Sequence, residues 1–184
     1  MVRRRQGVGS PAGALLVGGA STRFGSPKAL ARFEGETLAE RAHRVLSEAF
    51  EEVIVVGKAG DELELPFPVL DDGSDVRAAI VGVAAALRLA EADTVVVLPT
   101  DMPFVDTELL LALAEACKGT QAAVPESGPL PGAYRRSALS VLERRIAAGD
   151  LALHRACLEL EPRVLQWDEE LLRNVNTPDD LPEP

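Results

Sequence analysis

The residues best suited to chemistry lie in one stretch near the amino terminus, residues 15–30. An apolar run stops at Gly18 and Gly19, and a loop of small residues then carries Arg23 and ends at Lys28. Glycine lets the backbone approach a ligand closely, and successive N–H groups can then point at anionic oxygens. The two cations supply positive charge opposite a polyphosphate. This stretch therefore predicts a nucleoside triphosphate site.

The loop differs from two common phosphate-binding motifs. No Gly-Lys-Ser/Thr follows at the P-loop spacing, and the next glycine after Gly19 is Gly25, so the G-x-G-x-x-G pattern is missing as well. The spacing argues against a P-loop ATPase and against a dinucleotide-binding dehydrogenase. A long loop that wraps around its ligand fits the sequence better.

Strand and helix patterns alternate along most of the chain. Apolar strands are expected at 13–18, 53–56, 68–70, 94–98, 121–124, 132–134 and 163–167. Helices are expected at 37–50, 76–92, 107–117, 137–148 and 151–160, with a helical turn opening at Pro178. This alternation predicts right-handed βαβ units in a three-layer α/β fold, a mostly parallel, Rossmann-like sheet with helices on both faces.

Glycines and carboxylates follow several of the predicted strands. Gly18 and Gly19, then Asp71 and Asp72, then Asp101 each come directly after a strand end. Ligands of open α/β sheets bind beyond the carboxyl ends of the strands, so these residues are expected at one edge. Asp101 is the strongest candidate, because proteins usually hold Mg²⁺ with one or two carboxylates plus phosphate oxygens.

The composition limits the classes of function. A length of 184 residues favours a single domain over 1–184, with a loose basic tail over 1–11. The net charge of −10 and the pI near 4.7 argue against a nucleic-acid binder, which needs a basic face. No apolar run approaches the ~20 residues of a membrane span. With two cysteines expected as reduced thiols, we expect a cytoplasmic protein without a membrane or nucleic-acid partner.

Four segments together resemble a known family. From Leu16 the loop reads Leu-x-Gly-Gly-x-Ser-x-Arg-Phe-Gly-x-x-Lys-x-Leu, which resembles the signature loop of the sugar-nucleotide-type nucleotidyltransferases. The other segments are 69–72, 98–103 and 174–181. The last, Asn-Val-Asn-Thr-Pro-Asp-Asp-Leu, is similar to the ending typical of the molybdenum cofactor guanylyltransferases. The resemblance therefore extends in order over nearly the whole chain.

This resemblance implies an activity and a fold. The activity is transfer of GMP from GTP to molybdopterin carrying molybdenum, with release of pyrophosphate, on a fold of the nucleotide-diphospho-sugar transferase type. Mg²⁺ is the implied cofactor, GTP and molybdopterin are the implied substrates, and a protein that delivers molybdopterin is an implied partner. Because the attacking group is itself a phosphate, metal and positive charge are needed more than a side-chain base.

The resemblance also assigns roles to particular residues. The nucleotide would be bound by Leu16, Val17, Gly18, Gly19, Lys28, Asp72 and Asp101. The catalytic residues would be Arg23, Lys28 and Asp101, and the metal ligands Asp101 and Asn176. Asp71 stands beside Asp72, so either carboxylate can be the one that contacts the nucleotide.

The chain departs from the family pattern in three places. Residues 78–82 are Ala-Ala-Ile-Val-Gly where relatives commonly have Gly-Pro-Leu-x-Gly, Phe24 replaces a methionine, and Val56-Gly57 ends a strand where many relatives have an asparagine. The first and third departures concern how the nucleotide is held.

Two alternatives stand beside the guanylyltransferase. One is a related nucleotidyltransferase with another base or acceptor, such as a molybdopterin cytidylyltransferase or a sugar-phosphate enzyme. The other is a nucleotide-binding regulatory protein without turnover. The Gly18-Gly19 pair and the Asn-Val-Asn-Thr-Pro ending favour guanylyl transfer, and the joint presence of Arg23, Lys28 and Asp101 favours an enzyme.

Overall fold

The structure is a computed structural model that describes residues 9–18 and 27–181. Of the features predicted above, Gly19, Arg23 and most of the tail expected over 1–11 lie outside the described residues. The strands are β1 (Ala12–Leu16), β2 (Arg32–Phe33), β3 (Glu36–Thr37), β4 (Val53–Gly57), β5 (Leu70–Asp71), β6 (Thr94–Pro99), β7 (Ala122–Pro125), β8 (Gly132–Arg135) and β9 (Arg163–Leu165). The helices are α1 (Leu38–Ala49), α2 (Ala79–Leu89), α3 (Thr107–Ala116), α4 (Leu139–Ala147) and α5 (Leu153–Glu159). Short 3₁₀ turns occupy Lys28–Leu30, Ala59–Asp61, Arg136–Ala138 and Pro178–Asp180.

Seven strands form one sheet in the order β5-β4-β1-β6-β8-β7-β9. The four strands from β5 to β6 are parallel to one another, β8 is antiparallel to both of its neighbours, and β7 is parallel to β9. The mostly parallel α/β sheet predicted from the sequence is confirmed. The reversal at β8 was not foreseen, because a short apolar strand has the same pattern in either direction.

The sheet separates two apolar cores. Helices α2, α4 and α5 cover one face, and α1 and α3 cover the other. Successive side chains of β6 alternate between the two cores, so that Val95 and Val97 face the first while Val96 and Leu98 face the second, all of them buried. Burial on both faces explains why this strand is apolar at every position.

Two helix starts are capped by side chains. Thr37 Oγ1 accepts from Glu40 N at 3.1 Å, and Glu40 Oε2 accepts from Thr37 N at 2.8 Å, which completes the capping box of α1. Asp106 Oδ1 accepts from Leu109 N at 2.8 Å at the start of α3. Within the described ranges, every helix is too short or too polar to cross a membrane.

Helix α2 is shorter than its sequence pattern suggests. A helix over 76–92 is expected, but the helix begins at Ala79 because Ala78 is extended, with φ −150° and ψ 144°. The carbonyl of Val76 accepts from Lys58 Nζ at 2.7 Å, which holds this segment in the loop before the helix. A tertiary contact therefore overrides the helix propensity of this segment.

The carboxyl end of α2 is held by a side chain that is distant in sequence. Arg136 donates from Nη1 to Leu87 O at 2.8 Å, and from Nη2 to Ala90 O at 2.6 Å and Ala92 O at 3.0 Å. The last carbonyls of a helix lack intrahelical partners and carry partial negative charge, so a guanidinium stabilises them.

Replacing Arg136 with methionine is expected to lower the free energy of unfolding by about 2 kcal/mol, because hydrogen bonds to charged groups each contribute roughly 1.5–3 kcal/mol. Urea denaturation measures this loss. Arg88→Met is the matched control, since Arg88 makes an exposed ion pair with Glu143, and its cost should stay below about 1 kcal/mol. Equal losses in the two variants would contradict the capping role of Arg136.

Candidate active site at the carboxyl edge of the sheet

The carboxyl ends of four parallel strands meet at one edge. Leu16 of β1 lies beside Val56 of β4 on one side and Pro99 of β6 on the other, and Gly57 lies beside Asp71. Gly18, Lys58, Asp72 and Asp101 each follow one of these strands and so lie along the same edge. The structure thus brings together segments that are far apart in the sequence.

The turn after β1 needs glycine for a conformational reason. Gly18 has φ +132°, which residues with side chains rarely adopt. The turn is fixed on both flanks, because Val17 N donates to Val56 O at 2.9 Å and Thr100 N donates to Leu16 O at 3.3 Å. The backbone at Leu16, Val17 and Gly18 is therefore held in place at the centre of the edge.

Lys28 joins two oxygen ligands from distant parts of the chain. Its Nζ lies 3.4 Å from Asp101 Oδ2 and 3.3 Å from Asn176 Oδ1. The lysine side chain is 15% exposed and the Asp101 side chain is 32% exposed. Three of the residues predicted to act in catalysis or metal binding therefore form one cluster at the end of β6.

The carboxyl-terminal segment is tied to Asp101 through the backbone. Val175 is fully buried, and its N–H donates to Asp101 O at 2.7 Å. Asp180 Oδ2 accepts from Asn176 N at 2.7 Å and from Thr177 N at 2.8 Å. These contacts hold Asn176 beside Asp101.

Asp180 is a positioning residue that the sequence analysis missed, and the only signal for it was an aspartate four places after Asn176. Backbone hydrogen bonds from Asn176 and Thr177 hold the pKa of the Asp180 carboxyl below its usual range. Because the folded-state pKa is lowered, this stabilisation of the turn is present at neutral pH. It is lost in acid, as the pH falls through that lowered pKa.

Asp72 is engaged by a lysine that directly follows β4. Lys58 Nζ lies 2.7 Å from Asp72 Oδ2, and it also donates to Ser74 O at 2.5 Å and to Val76 O at 2.7 Å. The Lys58 and Asp72 side chains are only 12% and 7% exposed. Asp71 by contrast is exposed. Lys58 therefore fixes the loop that follows β5.

Replacing Lys58 with methionine is expected to destabilise the protein by about 3 kcal/mol, because it leaves the Asp72 carboxylate nearly buried without its cation. The double variant Lys58→Met/Asp72→Asn should recover a large part of that loss, since no uncompensated charge remains. Thermal or urea unfolding of the two variants measures the difference. A double variant that is less stable than Lys58→Met would contradict this account.

A second ion pair, Arg77 with Asp61, is more exposed to solvent than the pair of Lys58 with Asp72. Arg77 donates from Nη1 to Asp61 Oδ2 at 3.0 Å and from Nη2 to Asp61 Oδ1 at 2.5 Å. Arg77 holds the pKa of the Asp61 carboxyl below its usual range. A Cβ added to Gly18 would lie 3.4 Å from Asp61 Oδ2, so this carboxylate is adjacent to the turn after β1. The sequence analysis singled out neither residue.

The oxygen ligands at the end of β6 fit a divalent cation. In the part of the chain that the structure describes, no three His, Cys, Asp or Glu side chains are grouped closely enough to hold a metal ion. Asp101 and Asn176 do present two oxygens to one cationic group, the Lys28 ammonium. Since Mg²⁺ is usually held by one or two protein oxygens together with substrate phosphates and water, this donor set suits a metal that is shared with a nucleotide.

Comparison with known proteins gives a consistent match. The family model described as the MobA-like NTP transferase domain matches residues 13–164, which reach from β1 into β9. The probable molybdenum cofactor guanylyltransferase of Chloroflexus aggregans is 36% identical, over 92% of this chain and 90% of that protein. The molybdenum cofactor guanylyltransferase of Pseudomonas putida is 33% identical, over 91% of this chain and 93% of that protein.

A solved structure agrees with these relatives. Molybdopterin-guanine dinucleotide biosynthesis protein A from Archaeoglobus fulgidus matches with a TM-score of 0.78 and 29% identity, over 92% of this chain and 94% of that one. The resemblance inferred from the four sequence segments is thereby confirmed, together with the nucleotidyltransferase fold. The chain belongs to the MobA-like NTP transferase family.

Proposed function

We propose that the protein is a molybdenum cofactor guanylyltransferase, which transfers GMP from GTP to Mo-molybdopterin and forms molybdopterin guanine dinucleotide and pyrophosphate. The observation that carries the proposal is the cluster of Lys28, Asp101 and Asn176 beside the Gly18 turn. The names of the similar proteins support guanine as the base and molybdopterin as the acceptor. The proposal includes a single catalytic domain over 1–184, a cytoplasmic location and a protein that delivers molybdopterin.

The reaction joins two anions. An oxygen of the molybdopterin phosphate attacks the α-phosphorus of GTP, a new P–O bond forms, and the bond to the β-phosphate oxygen breaks with its electron pair leaving on pyrophosphate. The main obstacle is charge repulsion, so groups that neutralise the phosphates lower the barrier. We assign this role to Lys28 and Arg23, and we assign binding of the phosphate oxygens to backbone N–H groups of Gly18 and Gly19.

The other predicted residues bind and orient the nucleotide and the metal ion. Leu16 and Val17 present backbone to the nucleotide beside Gly18, and Asp72 supports the nucleoside side of the site through the loop that Lys58 fixes. Asp101 and Asn176 would hold Mg²⁺, which when bound supplies Lewis-acid neutralisation of the phosphate charge. Asp101 is therefore both a nucleotide-binding and a metal-binding residue in this proposal.

Pyrophosphate release tests the proposal against its alternatives. The purified protein with Mg²⁺ is given GTP, CTP, ATP or UTP, each with and without Mo-molybdopterin. We expect release only with GTP and only with the acceptor. If CTP were the only one of the four nucleotides to support turnover, the activity would be cytidylyl transfer and the proposal would be wrong. Nucleotide binding without any turnover would instead favour a regulatory protein.

A further inference from the structure

Two nested ion pairs connect the segment after β4 with the segment after β5. The inner pair, Lys58 with Asp72, is nearly buried, whereas Arg77 of the outer pair is 47% exposed. The inner pair also binds the carbonyls of Ser74 and Val76, so it has a structural role in the loop. The outer pair contacts solvent and lies beside the Gly18 turn, where a ligand can replace one of its members.

The order of strands gives the outer pair a definite place on a bound nucleotide. Strands β4 and β6 flank β1 on opposite sides. Asp61 follows β4 and Asp101 follows β6, while Gly18 follows the strand between them. Neighbouring strands are about 4.8 Å apart, so Asp61 and Asp101 follow strands on opposite sides of the turn. A nucleotide with its α-phosphate over Gly18 and its outer phosphates near Asp101 directs its base towards Asp61.

The contact between Arg77 and Asp61 has the chemistry of a guanine contact. The guanidinium presents two parallel N–H donors, Nη1 and Nη2, that share one carbon and bind both carboxylate oxygens. Guanine contains the same unit, because its N1–H and exocyclic N2–H are two parallel donors on one carbon. Adenine, cytosine and uracil do not present this pair of donors. A carboxylate accepts such a fork at two oxygens, which gives the contact its specificity.

We propose that Asp61 recognises the guanine base through N1–H and N2–H, and that Arg77 and guanine compete for the same two carboxylate oxygens. This inference rests on the proposed function, because it specifies the base that the same site selects. It makes Asp61 the residue that determines specificity and Arg77 a group that tunes nucleotide affinity.

Asp61→Asn provides the first test, with GTP, ITP and XTP as substrates. Wild type should prefer GTP over ITP, which lacks the N2 amine, by about tenfold or more, since a bidentate base contact discriminates by roughly 1–3 kcal/mol. The asparagine variant should lose that preference, mainly through a higher KM for GTP. It should also gain use of XTP, because asparagine offers one acceptor and one donor, and xanthine offers N1–H and a carbonyl at C2.

Arg77→Met provides a second test. It is expected to strengthen GTP binding, whereas Asp61→Asn is expected to weaken it. Removing the competitor should lower the Kd for GTP by about two- to fivefold, because an exposed ion pair contributes roughly 0.2–1 kcal/mol. A weaker affinity for GTP would overturn the competition, since it would mean that Arg77 itself contacts the nucleotide. The Kd for GTP is measured by calorimetry for wild type and for Arg77→Met. This variant leaves the inner ion pair in place.

Asp93→Asn is the matched control. Asp93 also pairs with an arginine, Arg135, but it precedes β6 and so lies at the opposite edge of the sheet. It should leave the ranking of GTP, ITP and XTP unchanged. An unchanged GTP to ITP ratio in Asp61→Asn overturns this inference while the proposed function stands. A wild-type protein that does not use GTP overturns the proposed function itself, so the two failures are distinguishable.

Discussion

Replacing Asp101 with asparagine is expected to lower the rate of pyrophosphate release from GTP by about 1,000-fold. Asp101 is the carboxylate that lies at the end of β6 with Lys28 Nζ at 3.4 Å, and it is the strongest candidate ligand for the metal. Asparagine keeps the shape of the side chain but removes its charge. Lewis-acid stabilisation of phosphate charge contributes several kcal/mol to the barrier, which corresponds to about three orders of magnitude in rate.

The measurement is the Mg²⁺ dependence of turnover, with GTP affinity determined separately by calorimetry. We expect the Kd for GTP to change by less than about tenfold, because most phosphate contacts come from other groups, and higher Mg²⁺ or Mn²⁺ should restore part of the rate. Asp93→Asn is the control, since Asp93 precedes β6 at its other end. An Asp101→Asn variant that retained wild-type turnover would remove Asp101 from the proposed mechanism.

Replacing Lys28 with methionine is expected to lower the turnover of GTP by about 100-fold, with a smaller loss of affinity. The Lys28 side chain is only 15% exposed and its ammonium already lies beside Asp101, so it acts in a partly desolvated site. Removing one preorganised group that stabilises developing charge typically costs roughly 10²–10³ in rate. Methionine keeps the length of the apolar stem, so the loss reports the charge.

Steady-state kinetics separates the two effects of this change into kcat and KM for GTP. Lys28→Arg should recover part of kcat, because a cation is restored at the same loop position. Lys118→Met is the matched control, since the Lys118 side chain is 73% exposed and pairs with the exposed Glu115 on the α3 side. A pure KM effect, with kcat unchanged, would make Lys28 a binding residue without a part in the chemical step.

The local pattern of residues predicted most of the elements. The unbroken apolar run of β6 and the capping box at Thr37 each follow from neighbouring residues, and both are present. The loop residues 15–30 and the ending 174–181 indicated the family, because their types and spacing are themselves the chemical signal. Secondary structure and family membership thus follow from local sequence, since propensity, capping and periodicity act over a few residues.

Local sequence did not predict the reversed strand β8, the late start of α2 or the partners of the acidic residues. Lys58 binds the Val76 carbonyl before α2 and also engages Asp72, and nothing in the residues around either position indicates this. Arg136 likewise caps α2 from a distance of 49 residues in sequence. Such contacts depend on the path of the backbone in three dimensions, which overrides propensity where the two conflict.

The sequence by itself predicted a nucleotide loop and an aspartate after a strand, and its resemblance to a family indicated an asparagine near the end. Only the tertiary structure decided that Lys28 meets both Asp101 and Asn176, across 73 and 148 residues. It also decided that Arg77 and Asp61 form a fork beside Gly18. The reason is physical: residue types set which chemistry is possible, whereas the shared edge of parallel strands sets which groups are close enough to perform it.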